Sequence, residues 1–242
     1  MTTEPCLPRS LRIILPCFNE EKAIPEVLPE VLTAKEKIEG SLPIKIFITV
    51  VDDGSTDHSL QRLNLYAADI DILRHDTNQG YGSAIKTGIA ASNEDWIAVL
   101  DLDDTCKAID LQKMLSMIPS KPLFMITGQR LHPQSSMPKH RRAGNSLFAW
   151  LVRYLFNQPL KDVCSGFRLF SSKHKAKLLS DLPNDLGFTL GLTLMSLNQR
   201  WPMLEVDITY SERLGRSKLS SVKYGFRFFV QILRARLTGQ YR

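Results

Sequence analysis

The sequence has few cysteines, no long apolar run and no recognisable nucleic-acid-binding motif. Its four cysteines, Cys6, Cys17, Cys106 and Cys164, lie far apart and form no C-x-x-C pair, which favours reduced thiols over a disulfide frame or a zinc site. No run reaches the roughly 18 apolar residues of a membrane span, and the N-terminus has no apolar signal-peptide region. These absences predict a cytoplasmic protein.

Acidic residues are scarce in the second half of the chain. Residues 1–129 hold 12 Lys or Arg and 19 Asp or Glu, whereas residues 130–242 hold 19 and 6, within a net charge of +6. The acidic half suits a metal-bound nucleotide, and the basic half suits a phosphate-bearing or membrane-surface partner. Nucleic acid is the competing explanation of the basic half. Few aromatic residues interleave with its charges, so we predict no nucleic-acid partner.

Short apolar strands alternate with helical patterns along the chain. The predicted strands cover residues 11–15, 44–51, 71–74, 96–100, 123–128 and 204–210, and the predicted helices end at Leu32 or cover 60–67, 83–91, 109–117, 143–156, 187–198 and 222–237. Pro25 is expected in the first turn of the first helix, with an irregularity near Pro29. The alternation predicts an α/β fold, a doubly wound, mostly parallel sheet with helices on both faces.

Three carboxylates follow the predicted strand at 96–100, where ligands of such sheets bind. Asp101 and Asp103 flank one residue, so in extended chain both point to the same side. The cluster repels itself unless a cation is present, and carboxylate oxygens suit Mg²⁺ or Mn²⁺ shared with phosphate oxygens. The alternative is a solvated acidic turn that caps the next helix, with Asp104 or Thr105 as N-cap.

Six motifs follow one another along the chain. They are Pro16–Glu20, Val51–Ser55, Asn78–Gly82, Asp101–Asp103, Ser165–Arg168 and Gly215–Lys218. In this order they resemble the inverting family-2 nucleotide-sugar glycosyltransferases of the GT-A fold. Within that family the chain looks most like the dolichol-phosphate mannose synthase group, the polyprenyl-phosphate hexosyltransferases. The likeness runs from about Arg12 to Leu237.

The resemblance implies a nucleotide-sugar donor, GDP-mannose or UDP-glucose, bound with Mg²⁺ or Mn²⁺. Asp101 and Asp103 would hold the metal against the diphosphate of the donor. The implied donor-binding residues are Pro16, Phe18, Glu20, Asp52, Asp53, Arg213, Ser217 and Lys218. Turn chemistry is the alternative role for Asp52. Asp104-Thr105 departs from the family pattern of an apolar residue followed by Gln, which leaves a third metal ligand open.

The resemblance also implies a polyprenyl or dolichyl phosphate as acceptor. A phosphate is already an anion, so its site needs positioning cations more than a general base. The implied acceptor-binding residues are Arg130, Arg141, Arg142 and Asn145, and the implied catalytic residues are Asp101, Asp103, Arg130 and Arg168. The helix predicted at 187–198 lacks the acid that many sugar-acceptor members use as a base, which favours a phosphate acceptor.

These implications together predict a metal-dependent, inverting hexosyltransferase, similar to dolichyl-phosphate β-D-mannosyltransferases, that transfers mannose or glucose. Two alternatives stay open: a soluble sugar or phosphorylated small molecule as acceptor, and a non-catalytic nucleotide-sugar-binding subunit. We expect a loose tail at 1–10, one catalytic domain at 11–221 (donor half 11–129, acceptor half 130–221) and an amphipathic helix within 222–242. That helix lies on a membrane or packs on the core. The expected location is the cytoplasmic face of a membrane, by peripheral association or through a membrane-anchored partner subunit.

Overall fold

The computed structural model describes residues 7–118, 123–211, 213 and 221–241. A seven-stranded sheet forms the centre of the fold. Its order is β3-β2-β1-β4-β6-β5-β7. β6 pairs antiparallel with β4 and β5, and the other neighbouring pairs are parallel. The predicted α/β, mostly parallel architecture is confirmed. The strands are β1 (Ser10–Cys17), β2 (Lys45–Asp52), β3 (Asp71–Arg74), β4 (Trp96–Val99), β5 (Met125–Gln129), β6 (Arg168–Ser171) and β7 (Met203–Asp207).

The helices of the described residues cover both faces of the sheet. They are α1 (Ile24–Ser41), α2 (Ser59–Asn64), α3 (Tyr81–Ala91), α4 (Asp110–Ser116), α5 (Lys139–Phe156), α6 (Lys175–Asp181), α7 (Gly187–Asn198) and α8 (Ser221–Leu237). Strand side chains alternate between the faces. On β1, Leu11, Ile13 and Leu15 pack in one apolar cluster with α1, α2 and α4, while Ile14 packs in a second cluster with α3, α7 and α8.

Two local predictions were wrong. The first helix does not end at Leu32 but continues through Pro29 to Ser41, because Val31, Ala34 and Ile38 repeat at helical spacing and are buried against the sheet. β6 was not predicted. It has only four residues and begins with an arginine, so its own sequence carries little strand signal. Its backbone hydrogen bonds come from pairing with β4 on one side and β5 on the other.

The closing helix α8 packs on the core through one face. Ile232 and Ala235 are fully buried in the cluster that also contains Val152 of α5. Its other face is exposed at Phe226, Phe229 and Leu237. Within the described ranges, none of the helices combines the length and apolar character that a bilayer crossing requires.

Candidate active site

The carboxyl ends of several parallel strands open into one cavity of about 530 Å³. The loops after β1, β2, β4 and β5 form its floor, and α5 and α8 form the opposite wall. Ten of the predicted site residues line it: Pro16, Phe18, Glu20, Asp53, Asp101, Asp103, Arg130, Arg141, Asn145 and Arg213. The sheet therefore brings together side chains that are up to 197 positions apart, as the rule for parallel sheets predicts.

Three of the predicted site residues that the structure describes do not line the cavity, and two more lie outside the described residues. Asp52, Arg142 and Arg168 lie outside its wall. Ser217 and Lys218 lie outside the described residues.

The loop after β1 is held to the loop after β2 and to the start of α2 by hydrogen bonds between side chains and backbone amides. Asn19, at a positive φ of 52°, accepts hydrogen bonds through Oδ1 from the amides of Thr56 and Asp57 at 2.8 and 3.3 Å. The amide of Glu20 donates to Ser59 Oγ at 2.8 Å. These bonds hold Phe18 and Glu20 at the cavity edge, so the acidic side chain of Glu20 is placed before any ligand arrives.

Asp52 and Asp53 stabilise loops, and only Asp53 reaches the cavity. Asp52 is fully buried and accepts from the amide of Ser55 at 3.0 Å, which is the turn role considered above. Asp53 accepts from the amides of Gln79 and Gly80 at 2.8 and 2.9 Å and contacts His75 Nδ1 at 2.7 Å. Its carboxylate thereby fixes the 78–80 loop on the cavity wall.

Asp101 lies between a tyrosine hydroxyl and a glycine. Tyr81 donates through its hydroxyl to Asp101 Oδ1 at 2.6 Å. A Cβ at Gly166 would lie 2.3 Å from Asp101 Oδ2, so only glycine leaves room for this carboxylate. Burial and the neighbouring charge of Asp103 raise the pKa of Asp101 to about 6. The site thus holds a carboxylate whose charge is poorly compensated by the protein.

Asp103 is buried and faces a cation supplied by the chain itself. It accepts from the amide and hydroxyl of Thr105 at 3.0 and 2.6 Å, and Arg213 Nη1 lies 3.2 Å from its Oδ2. Arg213 also donates through Nη2 to Glu20 at 2.7 Å. Arg213 Nε is buried and has no hydrogen-bond partner among the described atoms. The guanidinium therefore sits between two cavity carboxylates with one donor still unused.

The donor atoms of this acidic end fit Mg²⁺ or Mn²⁺ that is shared with a ligand. Asp104 turns away at a φ of 64° and pairs with Lys107, so it does not complete a three-carboxylate set. Within the described part of the chain, no group of three or more His, Cys, Asp or Glu side chains is arranged to hold a metal. Two carboxylates suffice for a hard cation that keeps waters and takes diphosphate oxygens as further ligands.

Arg130 lines the cavity in a fork-to-fork pair with Asp162. Its Nε and Nη2 donate to the two oxygens of Asp162 at 2.7 and 3.0 Å, and its guanidinium carbon lies 5.9 Å from the ring centre of Tyr210. Burial alone would lower the pKa of Arg130, but Asp162 outweighs it and raises that pKa. Arg130 is thus a fixed, permanently charged group on the wall.

The other acceptor candidates lie on α5 and differ in their contacts. Arg141 and Asn145 line the cavity. Arg142 donates instead to the carbonyls of His132 and Ser135 at 3.2 and 2.9 Å, and so holds the loop before the helix. Arg142 therefore holds a loop and does not line the cavity with Arg141 and Asn145, and its implied anion-binding role stays a prediction.

Arg168 is buried below the cavity wall, with 1% of its surface exposed. It donates to the carbonyls of Ser165 and Val163 at 2.9 Å and to Thr193 Oγ1 at 2.7 Å. Burial lowers its pKa to about 10. Arg168 therefore does not reach the cavity lining, and its implied catalytic role stays a prediction. Its bonds instead fix the 162–167 loop, which presents Cys164 and Gly166 to the cavity.

One part of the cavity lining is largely apolar. Phe148 of α5 and Phe228 of α8 meet edge to face at 5.8 Å between ring centres, and both line the cavity. Met137, Leu186 and Tyr224 line it as well. The cavity lining thus combines a pair of carboxylates, an arginine and a group of apolar side chains.

Sequence reasoning missed several of these groups. Tyr81 lies inside the quoted Asn78–Gly82 motif, where its hydroxyl was given no role. Asp162 is one of six acids in the basic half, which was an available signal for a paired charge. Phe148 and Phe228 carried no signal beyond ordinary helix spacing, so only the three-dimensional packing reveals them as cavity residues.

The family model named glycosyl transferase family 2 matches residues 12–178. A Mycobacterium tuberculosis glycosyltransferase, described only as uncharacterized, is 27% identical over 215 residues, with 87% of this chain and 90% of that protein covered. The human dolichyl-phosphate beta-glucosyltransferase is 27% identical over 228 residues, with 87% and 70% covered.

A solved structure has a similar fold. It is glucosyl-3-phosphoglycerate synthase from Mycobacterium tuberculosis in complex with Mn²⁺, uridine diphosphate and phosphoglyceric acid. The TM-score is 0.69 at 18% identity, covering 94% of this chain and 78% of that one. At this level of identity the likeness establishes the GT-A fold.

Proposed function

Because the chain belongs to glycosyl transferase family 2, we propose that it transfers a hexose from a nucleotide diphosphate sugar to a polyprenyl phosphate. The observation that carries this proposal is the single cavity with two unlike ends. Asp101 and Asp103 contribute carboxylates from the loop after β4, and Phe148 and Phe228 contribute rings from α5 and α8. Arg130 lines the same cavity. A donor with a diphosphate and an acceptor with a phosphate on an apolar chain match these ends.

The donor end would bind the diphosphate. Mg²⁺ or Mn²⁺ held by Asp101 and Asp103 would act there as a Lewis acid on the departing nucleoside diphosphate. Among the described atoms, Arg213 Nε has no hydrogen-bond partner. The guanidinium could turn from Asp103 to a phosphate oxygen once other positive charge reaches that carboxylate. The metal and the nucleotide would therefore bind to the site together.

The acceptor end would bring in the attacking phosphate. An oxygen of the polyprenyl phosphate forms a bond to the anomeric carbon while that carbon's bond to the donor diphosphate breaks, which inverts the configuration. Arg130 and Arg141 would hold the attacking anion against its repulsion by the donor. No side chain needs to remove a proton, because the nucleophile is an anion already.

The acceptor distinguishes this proposal from its alternative. A soluble phosphorylated acceptor would use the same arginines but has no use for the apolar end formed by Phe148, Phe228 and Leu186. The name of the human relative supports glucose as the transferred hexose, whereas mannose from GDP rests on the motif resemblance alone. UDP-glucose is therefore the first donor to test.

The test is a donor and acceptor panel with the purified full chain. Radiolabelled UDP-glucose and GDP-mannose are each incubated with Mn²⁺ and either a short polyprenyl phosphate, 3-phosphoglycerate or no acceptor. The proposal predicts label in the organic extract with the polyprenyl phosphate and one of the donors. Label that appears only in a water-soluble product would overturn the lipid acceptor. Nucleotide-sugar binding with no transfer to any acceptor would support a non-catalytic subunit.

A further inference from the structure

The outer faces of α5 and α8 carry most of the large apolar side chains that the described residues expose. Six of those eight side chains lie on these two helices. Three belong to α5 (Leu147, Trp150 and Tyr154) and three to α8 (Phe226, Phe229 and Leu237). Monomeric soluble proteins seldom expose contiguous apolar patches without a partner.

The six side chains lie on the outer faces of these two helices, which we together call the aromatic face. Spacings of three, four and seven residues place Leu147, Trp150 and Tyr154 on one stripe of α5 about 10 Å long. Trp150 and Tyr154 stack at 5.8 Å with 11° between their planes. The same kind of spacing relates Phe226, Phe229 and Leu237 on α8.

The two helices lie side by side in the same layer. The rings of Phe148 and Phe228 are in contact, and Arg236 Nε donates to the carbonyl of Leu155 at 2.9 Å. Each helix buries its inner face in the same apolar cluster, through Val152 on α5 and Ile232 on α8. Their outer faces must therefore point to the same side of the molecule.

The charged residues of α5 and α8 themselves have one sign, and one of them, Arg227, is paired with Asp185. α5 and α8 together contain eight Lys or Arg and no Asp or Glu. Arg153, Arg227, Arg234 and Arg236 are among the exposed ones. Aromatic side chains with arginines around them are typical of surfaces that rest in the headgroup region of a bilayer with anionic lipid.

The cavity opens at this same pair of helices, since Gly144, Phe148, Gly225 and Phe228 line it from the inner sides of α5 and α8. We propose that the aromatic face binds the surface of a membrane containing anionic lipid, with Trp150, Tyr154 and Phe226 entering the headgroup region. This inference deepens the proposed function and rests on it for its purpose, because a lipid acceptor would then enter the cavity from the membrane. Binding to lipid can nevertheless be measured without any transfer.

The main experiment is vesicle co-sedimentation of the full chain. The vesicles are phosphatidylcholine alone or mixed with phosphatidylglycerol. The variant Trp150→Ser/Phe226→Ser removes two exposed anchors that do not line the cavity. Leu65→Ser is the matched control, because Leu65 is 80% exposed but lies at the end of α2. We expect the double variant to bind anionic vesicles about 10-fold more weakly, since each apolar anchor adds to membrane affinity, and the control to bind like the wild type.

A second variant separates charge from apolar contact. Arg153→Gln/Arg234→Gln should lose most of the preference for anionic vesicles. Wild-type binding to these vesicles should weaken between about 0.1 M and 1 M salt, because screening shortens the reach of the arginines. Brominated acyl chains should quench the tryptophan fluorescence of the wild type. Trp150→Ser should lose most of that quenching, because Trp96 is buried and Trp201 packs against Phe124 and His174, away from the aromatic face.

Three results would overturn the proposal. The first is an absence of wild-type binding to both kinds of vesicle. The second is an equal loss in Leu65→Ser. The third is a wild-type homodimer in light scattering that becomes a monomer in Trp150→Ser/Phe226→Ser, together with no wild-type binding to lipid. That result would mean that a second copy of the chain covers the aromatic face. Transfer to a short polyprenyl phosphate in detergent should be the same in wild type and double variant. Vesicle binding without hexose transfer would contradict the proposed function and still support membrane binding by the aromatic face.

Discussion

The two ends of the cavity are built in different ways. At the acidic end, Asp53, Asp101 and Asp103 stand at strand ends and accept hydrogen bonds from amides and hydroxyls nearby. At the acceptor end, the groups come from α5, α8 and the Arg130–Asp162 pair, which join distant segments. The first is held by the backbone of the sheet and the second by side-chain packing. We therefore expect substitutions at the acidic end to act on chemistry and those at the other end to act on acceptor binding.

The largest effect should come from Asp103→Ala, which removes one of two carboxylates at the acidic end. We expect hexose transfer to fall by about a thousandfold or more, because a metal ligand acts on charge that develops in the transition state. Asp104→Ala is the matched control, since Asp104 pairs with Lys107 and faces away. It should change transfer by less than about threefold.

Unchanged thermal melting would show that the fold of Asp103→Ala is intact. Asp103→Asn, which can still accept from Thr105, serves as a second variant if the alanine variant melts early. Retained turnover in either variant at saturating donor would count against the metal-binding role.

The next effect should come from Gly166→Ala, which tests the close approach of the two segments. The new Cβ would lie 2.3 Å from Asp101 Oδ2, so the carboxylate must move. A shift of about 1 Å at a reacting group can cost about a hundredfold in rate. Gly40→Ala on α1 is the control, because a Cβ there meets no neighbouring atom within 4 Å and Gly40 does not line the cavity. Equal kcat for the two variants would show that the position of Asp101 is not critical.

A smaller and more selective effect is expected from Arg141→Gln at the acceptor end. Loss of one phosphate contact should raise the KM for the polyprenyl phosphate about 10-fold and leave the KM for the donor unchanged. Arg141 suits this test better than Arg130, whose removal would leave Asp162 buried without its partner. Arg153→Gln on the same helix is the control in detergent solution. A rise in the donor KM alone would assign Arg141 to the other end.

The smallest effect should be seen with Arg213→Gln. We expect it to raise the affinity for Mn²⁺ and to lower the rate of transfer. The guanidinium now neutralises Asp103 and Glu20, so its removal should tighten Mn²⁺ binding in the absence of nucleotide by about threefold to 10-fold. Transfer should fall, because Arg213 can no longer bind the diphosphate. Calorimetry with Mn²⁺ alone and a transfer assay give the two readouts. Weaker Mn²⁺ binding would mean that Arg213 supports the carboxylates and does not compete with the metal.

Most of the acidic end could be predicted from the sequence for a physical reason. Parallel strands place their carboxyl ends at one edge, so Pro16, Asp53 and Asp101 had to converge once the strands were recognised. Asp52 shows the limit. It is adjacent to Asp53 in sequence, yet it turns into the fold and accepts from Ser55.

The acceptor end was harder to predict because charge alone does not reveal a partner. Arg168 lies in an apolar segment, which fits an anion site and a buried structural arginine equally well. Its bonds to Ser165, Val163 and Thr193 show the structural role of the arginine and leave its implied catalytic role a prediction. Arg130 was predicted as an acceptor-binding and catalytic residue, and its pairing with Asp162, 32 positions away, was not predicted. Such pairs depend on loop packing, which motif spacing does not encode.

The most direct test of the two-ended cavity is a crossed binding measurement. Calorimetry would measure UDP with Mn²⁺, and separately a short polyprenyl phosphate, against wild type, Asp103→Ala and Arg141→Gln. The account predicts that Asp103→Ala loses the nucleotide and keeps the polyprenyl phosphate, while Arg141→Gln weakens the polyprenyl phosphate and keeps the nucleotide. Two results would contradict the division of the cavity into a donor end and an acceptor end. One is a folded variant that loses both ligands, and the other is that both variants keep both ligands.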